Sequence, residues 1–214
     1  MNSRHALYFL PEEDSALDRL GRVWRAHLPE HLTTEARVYG FHATLKAPFR
    51  LKEDRDETQL IEALTSFAAN RPILVEPPPV LALLNDFYAL RPSLASAALQ
   101  DLAVACVRDF DGFRAPLTET ELAKRRQAPL TPRQNELLER WGYPYVFDEY
   151  RFHMTLSGRL DDGDKAEIGA LLAPLTADAR GEELTIASVS LVRQDDGGPF
   201  RLVRRFALGA ACAS

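Results

Sequence analysis

The pentapeptide FHATL at residues 41–45 returns 111 positions later as FHMTL at residues 152–156, in a chain with only five histidines. Side chains two apart on a β-strand point to the same side of a sheet. On a strand, each copy would therefore direct one histidine and one threonine to one face and bury its apolar residues on the other. Two such strands brought together would form a groove lined by His42, Thr44, His153 and Thr155.

The same order of predicted elements surrounds each copy: strand, helix, motif strand, helix, strand. In the first half the strand at 6–10 precedes a helix capped at Asp14 or Ser15, a motif strand at 39–51, a helix at 57–69 and a strand at 73–76. In the second half these elements span 83–91, 93–109, 150–158, 163–173 and 184–193, and a hairpin adds a strand at 200–208. The pattern predicts an α+β protein built by internal duplication.

The spacing of the two halves predicts an insertion in the second one. Tyr8 and Tyr88 lie at corresponding strands 80 positions apart, whereas the motifs are 111 apart, so the difference of 111 − 80 leaves about 31 extra residues. They fall within 112–149, where helices are predicted near 118–127 and 132–141. We therefore predict a single domain over 1–214, with a first repeat at about 5–80 and a second at about 83–209.

Composition and charge favour a small substrate. The chain is 46% hydrophobic and 27% charged, with a net charge of −5. Proteins that grip long nucleic acids usually carry a basic excess, although a net acidic chain remains compatible with an RNA end. No apolar run approaches the ~20 residues of a membrane span, and no signal peptide is recognisable, so we expect a cytoplasmic protein. Two cysteines, Cys106 and Cys212, imply no disulfide framework.

Paired histidines and threonines suit acid–base chemistry on a phosphodiester. Hydrolysis needs a base that deprotonates water and an acid that protonates the leaving alkoxide on the opposite side of phosphorus. Histidine, with an ordinary pKa near 6.5, can serve as either, and such help accelerates reactions by about 10²–10⁴-fold per group. The hydroxyls of Thr44 and Thr155 would donate to phosphate oxygens. No metal or cofactor is expected, because no histidine near the motifs has a metal-ligand spacing.

Four further residues are candidate substrate-binding groups. On alternation alone Lys46 shares the face of His42 and Thr44, and Arg151 shares the face of His153. Tyr39 and Tyr143 could stack on a sugar or a base. A solvated face is an equally good explanation for Lys46 and Arg151, and packing of the insertion is the better explanation for Tyr143. The basic pair at 125–126 is expected on a solvated helix face.

The paired H-x-T motifs resemble those of the two-histidine (2H) phosphoesterase superfamily. Longer strings resemble the branch that is associated with phosphonate-utilisation operons: LYF at 7–9, YGFHATLKAPF at 39–49, FRAP at 113–116 and WGYPY at 141–145. The resemblance covers nearly the whole chain.

This resemblance implies a bilobal fold with two antiparallel sheets around a central cleft and helices outside. It also implies metal-independent hydrolysis or formation of a small cyclic phosphodiester, such as a 2′,3′-cyclic or 1″,2″-cyclic ribose phosphate. His42 and His153 would be the acid–base pair, and Thr44 and Thr155 would hold the phosphate. Two alternatives remain: a 2′,3′-cyclic phosphodiesterase or ligase acting on RNA ends, and a phosphate-ligand binding module without catalysis.

Overall fold

The computed structural model describes residues 3–209, apart from the side chain of Glu35. Within that range the chain forms nine β-strands and seven α-helices, joined by short 3₁₀ turns. The strands are β1 (Ser3–Phe9), β2 (Ala43–Phe49), β3 (Leu74–Glu76), β4 (Val80–Leu84), β5 (Phe87–Arg91), β6 (Met154–Thr155), β7 (Leu184–Ile186), β8 (Ser188–Asp195) and β9 (Arg201–Ala207).

The helices follow the strands closely along the chain. They are α1 (Ala16–Val23), α2 (Thr34–Tyr39), α3 (Glu57–Ala69), α4 (Ala97–Asp109), α5 (Glu119–Arg125), α6 (Pro132–Trp141) and α7 (Asp164–Leu175).

Seven strands form one antiparallel sheet in the order β4-β5-β6-β2-β1-β8-β9, and β3 pairs with β7 in a separate small sheet. The α+β class with antiparallel sheets is thereby confirmed, although the two sheets are very unequal. Strands β2 and β6, which carry the repeated motif, are neighbours near the centre of the large sheet. The sheet therefore brings together two segments that lie more than a hundred residues apart.

The predicted helices have clear capping signals. Helix α3 spans the predicted 57–69, and it begins at a capping box in which Asp56 and Gln59 satisfy each other's backbone N–H groups. Its buried residues Leu60 and Leu64 enter the main core. In the insertion, α5 and α6 also begin at capping boxes, formed by Thr118 with Glu121 and by Thr131 with Gln134.

Two predicted strands are each divided in the structure. The segment 83–91 is the end of one strand and the whole of the next, because Asn85 adopts a φ of 57° and turns the chain between β4 and β5. Asparagine tolerates this left-handed conformation better than most residues. The segment 184–193 breaks at Ala187, so that β7 joins the small sheet and β8 joins the large one.

Both motif strands are shorter than predicted. Tyr39 ends helix α2, and β2 begins only at Ala43. Strand β6 comprises just Met154 and Thr155. Pro48 lies inside β2 rather than at its end. Strand β2 pairs with β6 only at Ala43, so no residue of β6 lies opposite Pro48 to form a ladder hydrogen bond with it.

The strand register refines the correspondence between the two halves. Thr44 pairs with Tyr8, whereas Thr155 pairs with Ala89. The position that corresponds to Tyr8 is therefore Ala89 and not Tyr88, which shortens the insertion by one residue. Tyr88 points to the opposite face, where its hydroxyl donates to the carbonyl oxygen of Lys165 on α7. The duplication itself stays a prediction.

Two smaller expectations concern the cysteines and the membrane. Cys106 is a buried free thiol on α4, and Cys212 lies outside the described residues. Among residues 3–209, no helix combines the length and apolar character that crossing a membrane requires.

Truncating a core residue of α3 should destabilise the fold. Leu60 is fully buried, so Leu60→Ala removes packing contacts and leaves a cavity, and we expect the free energy of unfolding to fall by about 2–5 kcal/mol. The matched control is Glu62→Ala on the exposed side of the same helix, which should change it by less than about 0.5 kcal/mol. Urea unfolding of both variants measures the difference, and equal losses would contradict the packing described here.

Candidate active site

The pairing of β2 with β6 brings the two motifs side by side. Ala43 lies opposite Met154 in an antiparallel register. One residue further in each direction, His42 falls opposite Thr155 and Thr44 falls opposite His153. The four side chains therefore share one face of the sheet, with the histidines on a diagonal of about 7–8 Å between Cα atoms.

A backbone carbonyl two residues earlier fixes the tautomer of each histidine. Nδ1 of His42 lies 3.1 Å from the carbonyl oxygen of Gly40, and Nδ1 of His153 lies 2.7 Å from that of Arg151. A carbonyl oxygen only accepts, so both Nδ1 atoms carry hydrogen and donate. Nε2 of each ring is left for chemistry. At Gly40 a φ of 71°, which favours glycine, turns the chain from α2 toward this contact.

His42 is stacked under an aromatic ring that sequence reasoning did not assign to the site. The ring of Tyr8 lies 3.9 Å from that of His42 between centroids, at 24°. Burial lowers the pKa of His42 to about 4; the bond to Gly40 opposes this shift, and the nearby charge of His153 adds to it. Nε2 of His42 lies 3.2 Å from Oγ1 of Thr44. At neutral pH His42 is therefore an uncharged ring with an available lone pair on Nε2.

Tyr8, Tyr39 and Phe200 form an aromatic wall beside His42. Tyr39 stacks on Phe200 at 5.5 Å, and Phe200 in turn lies 5.8 Å from Tyr8. Burial raises the pKa of Tyr8, and the neighbouring Tyr39 and Tyr143 raise it further. Tyr39 is therefore part of this wall, whereas Tyr143 packs with the insertion against Val107, Leu137 and Val146. Substrate stacking by either tyrosine stays a prediction.

The environment of His153 differs from that of His42. The position that corresponds to Tyr8 holds Ala89, so no ring stacks on His153 in the same way. Its nearest aromatic neighbour is Phe87, at 5.7 Å and tilted by 54°. The buried Tyr150, three residues before His153, donates its hydroxyl to the carbonyl oxygen of Thr44 and so ties the loop of one motif to the strand of the other.

Lys46 does not share the face of His42 and Thr44. A bulge in β2 places Lys46 opposite Leu7, one residue later than an unbroken register would. The side chain is buried; Nζ donates to the carbonyl oxygen of Val107 at 3.0 Å and lies 3.7 Å from Asp111. Burial lowers the pKa of Lys46 to about 8, and Asp111 opposes that shift. The alternation that predicted this position fails because of the bulge.

Arg151 contributes to the candidate active site through its backbone. Its carbonyl oxygen accepts from His153, whereas its exposed guanidinium donates to the carbonyl oxygens of Asp148 and Tyr150 at 2.8 and 2.7 Å. The side chain therefore folds back onto the preceding loop, and its role in substrate binding stays a prediction.

The remaining histidines lie away from the site, and the described residues form no metal-binding group. His5 is buried on the opposite face, with Nε2 2.9 Å from Glu57, and His27 and His31 are exposed. Within residues 3–209, no group of three or more His, Cys, Asp or Glu side chains is arranged to hold a metal ion.

Sequence reasoning missed Tyr8 and the two carbonyl contacts. Tyr8 marked the repeat, but its role follows from β1 lying beside β2, which one sequence does not reveal. The carbonyl of residue i−2 was available as a signal, because Gly40 and Arg151 occupy equivalent places before their histidines. The preference of histidine Nδ1–H for a nearby carbonyl then completes the inference.

The fold and this site define an α+β protein with a paired-histidine cleft. The chain belongs to the family whose model is described as "Protein of unknown function (DUF1045)", which matches residues 44–201.

Two curated relatives carry the name Ribose 1,5-bisphosphate phosphokinase PhnN. The protein of Janthinobacterium sp. (strain Marseille) is 39% identical over 222 residues, covering 92% of this chain and 49% of the relative. That of Laribacter hongkongensis (strain HLHK9) is 33% identical, covering 94% and 51%. The chain thus spans about half the length of the curated relatives it matches. The family match and these relatives agree with the recognition of the branch from its motifs.

Solved structures of similar fold include E. coli LigT complexed with 3′-AMP, at a TM-score of 0.49 and 14% identity, covering 97% of this chain and 98% of that one. A conserved protein of unknown function from Agrobacterium tumefaciens, ATU0111, has a TM-score of 0.48 at 13% identity, covering 96% and 87%.

Replacing Lys46 by methionine should separate a structural role from substrate binding. Lys46→Met keeps the length of the side chain but leaves the carbonyl oxygen of Val107 without its donor, and Asp111 keeps its partner Arg114 at 2.7 Å. We expect the free energy of unfolding to fall by about 1–3 kcal/mol, and ligand affinity at the cleft to change less than about threefold. Thermal unfolding and phosphate-ligand titration measure both. If the variant is stable but binds the phosphate ligand tenfold more weakly, Lys46 takes part in substrate binding.

Proposed function

We propose that the chain is a metal-independent phosphodiesterase that hydrolyses a small cyclic phosphodiester by paired-histidine acid–base catalysis. The observation that supports the proposal is the register of β2 and β6, from which His42, Thr44, His153 and Thr155 fall on one face of the sheet. The two carbonyl contacts leave Nε2 of both rings free to exchange protons.

We propose roles for the two histidines from their environments. His42, kept uncharged by burial, takes the proton of the attacking water on Nε2. The water oxygen bonds to phosphorus as the ring P–O bond breaks, and the leaving alkoxide takes a proton from Nε2–H of His153. The cyclic diester and water become one phosphomonoester. Solvent then removes the proton from His42 and reprotonates His153 for the next turnover.

The threonines hold the phosphate while this exchange occurs. Hydroxyl groups of Thr44 and Thr155 donate to the non-bridging oxygens, and each hydrogen bond to a charged group contributes about 1.5–3 kcal/mol. In the unliganded cleft Thr44 is engaged with His42, so phosphate binding exchanges one partner for another. This exchange leaves Nε2 of His42 facing the attacking water.

The relatives' names support a phosphorylated ribose as the substrate class. Those names state a phosphokinase of ribose 1,5-bisphosphate, yet this chain contains no GxxxxGK[ST] pattern of the kind that cradles ATP phosphates. We assign that kinase activity to the remaining half of those relatives and the cyclic phosphodiesterase activity to the half that matches this chain. The two reactions would then act on related ribose phosphates, in keeping with a role in phosphonate metabolism.

Loss of either histidine should abolish turnover. The substrates are ribose 1,2-cyclic phosphate, 2′,3′-cyclic mononucleotides and an RNA oligomer with a cyclic end, all in EDTA and followed by phosphorus NMR. We expect turnover of a small cyclic phosphate and a loss of about 10²–10⁴-fold in His42→Ala and in His153→Ala. His31→Ala, at an exposed histidine, is the matched control and should keep full activity.

Each other outcome selects a different function. Turnover of the RNA oligomer alone would identify an RNA-end enzyme, and binding without turnover would identify a binding module. Activity that disappears in EDTA and returns with a divalent cation would contradict the metal-independent mechanism.

Replacing Tyr8, which covers His42, should raise the pH at which kcat/KM falls on acidification. As pH falls through the pKa of His42, the base becomes protonated and kcat/KM declines, so the wild-type limb should lie near pH 4. Tyr8→Leu admits water to the ring and should move this limb toward 6.5. NMR titration of the His42 ring measures the shift directly. Tyr88→Leu, on the other face, is the control and should leave the limb in place.

A further inference from the structure

Two arginines, Arg4 and Arg125, lie beside the aromatic wall next to His42. Strand β1 presents Arg4, Ala6 and Tyr8 on one face, because it pairs regularly with β8 over Ser3 to Tyr8. Tyr8 stacks on His42, so Arg4 lies on the same row about 13 Å further along an extended strand.

The guanidinium of Arg4 is held in place by a buried amide. Its Nε donates to Oε1 of Gln194 at 2.9 Å, and Nε2 of Gln194 donates to the carbonyl oxygen of Gly198 at 2.6 Å. The guanidinium also lies 5.8 Å from the ring centre of Phe200. This arrangement orients Arg4 before any ligand binds.

Arg125 reaches the same part of the cleft from the insertion. Its guanidinium lies 5.1 Å from the ring centre of Tyr143 and donates to the carbonyl oxygen of Pro48 at 3.4 Å. Pro48 precedes Phe49, which pairs with His5, the residue after Arg4. Arg125 is therefore a partly buried side chain over β1 and β2, and the solvated helix face expected from the sequence describes only its neighbour Arg126.

Neither arginine forms an ion pair with a described carboxylate, and the nearest acidic influence is Glu121. Among the described side chains, no carboxylate oxygen lies within 4 Å of either guanidinium, and the nearby Glu121 is engaged by Arg50. Burial lowers the pKa of Arg125, Tyr143 opposes this shift, the charge of Arg4 lowers the pKa further, and the charge of Glu121 raises it. Two cations close enough to repel each other create a favourable place for an anion.

We propose that Arg4 and Arg125 form a second phosphate subsite, so that the substrate is a cyclic phosphodiester of a sugar that also carries a phosphomonoester. The cyclic phosphate would lie between His42 and His153, and the sugar would lie along Tyr8. Phe200 connects these positions, because its ring centre lies 5.8 Å from that of Tyr8 and 5.8 Å from the guanidinium carbon of Arg4. The location of this subsite relative to the histidines rests on the proposed function.

A matched pair of probes tests the subsite. The probes are adenosine 2′,3′-cyclic phosphate and the same molecule with a 5′-phosphate, titrated calorimetrically into the His153→Ala protein, where turnover is suppressed. We expect the 5′-phosphorylated probe to bind at least about tenfold more tightly. In the same background Arg4→Gln and Arg125→Gln should each remove most of this preference, and the affinity for the plain probe should change less than twofold.

Two control variants distinguish binding at the subsite from a general effect of positive charge and from a loss of folding. Arg126→Gln changes a neighbouring surface arginine that pairs with Glu139, and it should preserve the preference. Arg125→Lys should restore part of it by returning the positive charge.

The remaining outcomes distinguish the subsite from the catalytic proposal. Equal affinity for the two probes, or equal weakening of both in the arginine variants, would overturn the subsite. A retained 5′-phosphate preference, together with no turnover of either probe by wild-type protein, would support the subsite and reject the phosphodiesterase. Absence of binding by both probes would reject both.

Discussion

The pairing of Ala43 with Met154 is the contact on which the site depends. It joins the motif strands of the two halves in one sheet, and its antiparallel register sets each histidine opposite the threonine of the other motif. A slip of one residue would turn one histidine–threonine pair into the core. Met154 and Leu156 are fully buried, as are Ala43 and Leu45, so the apolar half of each pentapeptide fixes the register that the polar half uses.

The two halves supply the same motif but different surroundings, and the proposed acid–base catalysis needs that difference. One histidine must be uncharged and the other protonated in the same state of the protein. Tyr8 covers His42, whereas Ala89 occupies the corresponding place beside His153. The insertion adds a second difference, because Arg125 at the end of α5 donates to the carbonyl oxygen of Pro48 in β2 and lies over the ring of Tyr143. The two histidines therefore differ through unequal packing around equal motifs.

How far the sequence predicted this molecule depends on whether local or distant contacts decide each feature. Helix α3 was predictable to the residue because its capping box and apolar stripe are local signals. The length of β6 was not, since a strand of two residues is defined by its partners β2 and β5. Alternation placed Thr44 with His42 correctly on one face, but one extra residue in β2 turned Lys46 into the interior. Arg125 looked like a surface residue, because nothing local reveals the strands beneath α5.

The same reasoning explains why arginines rather than lysines surround the cleft. Lys46, the ammonium nearest the motif in sequence, is buried and committed to Val107 and Asp111, so it stabilises the contact between β2 and α4. Arg4 and Arg125 keep their charge when partly buried and can lie against aromatic rings while still donating several hydrogen bonds. An aromatic wall flanked by two guanidinium groups has the chemistry to bind a sugar face and a phosphate together. In the proposed function, bond cleavage would occur at the histidines, and the rest of the substrate would be recognised beside β1 and α5.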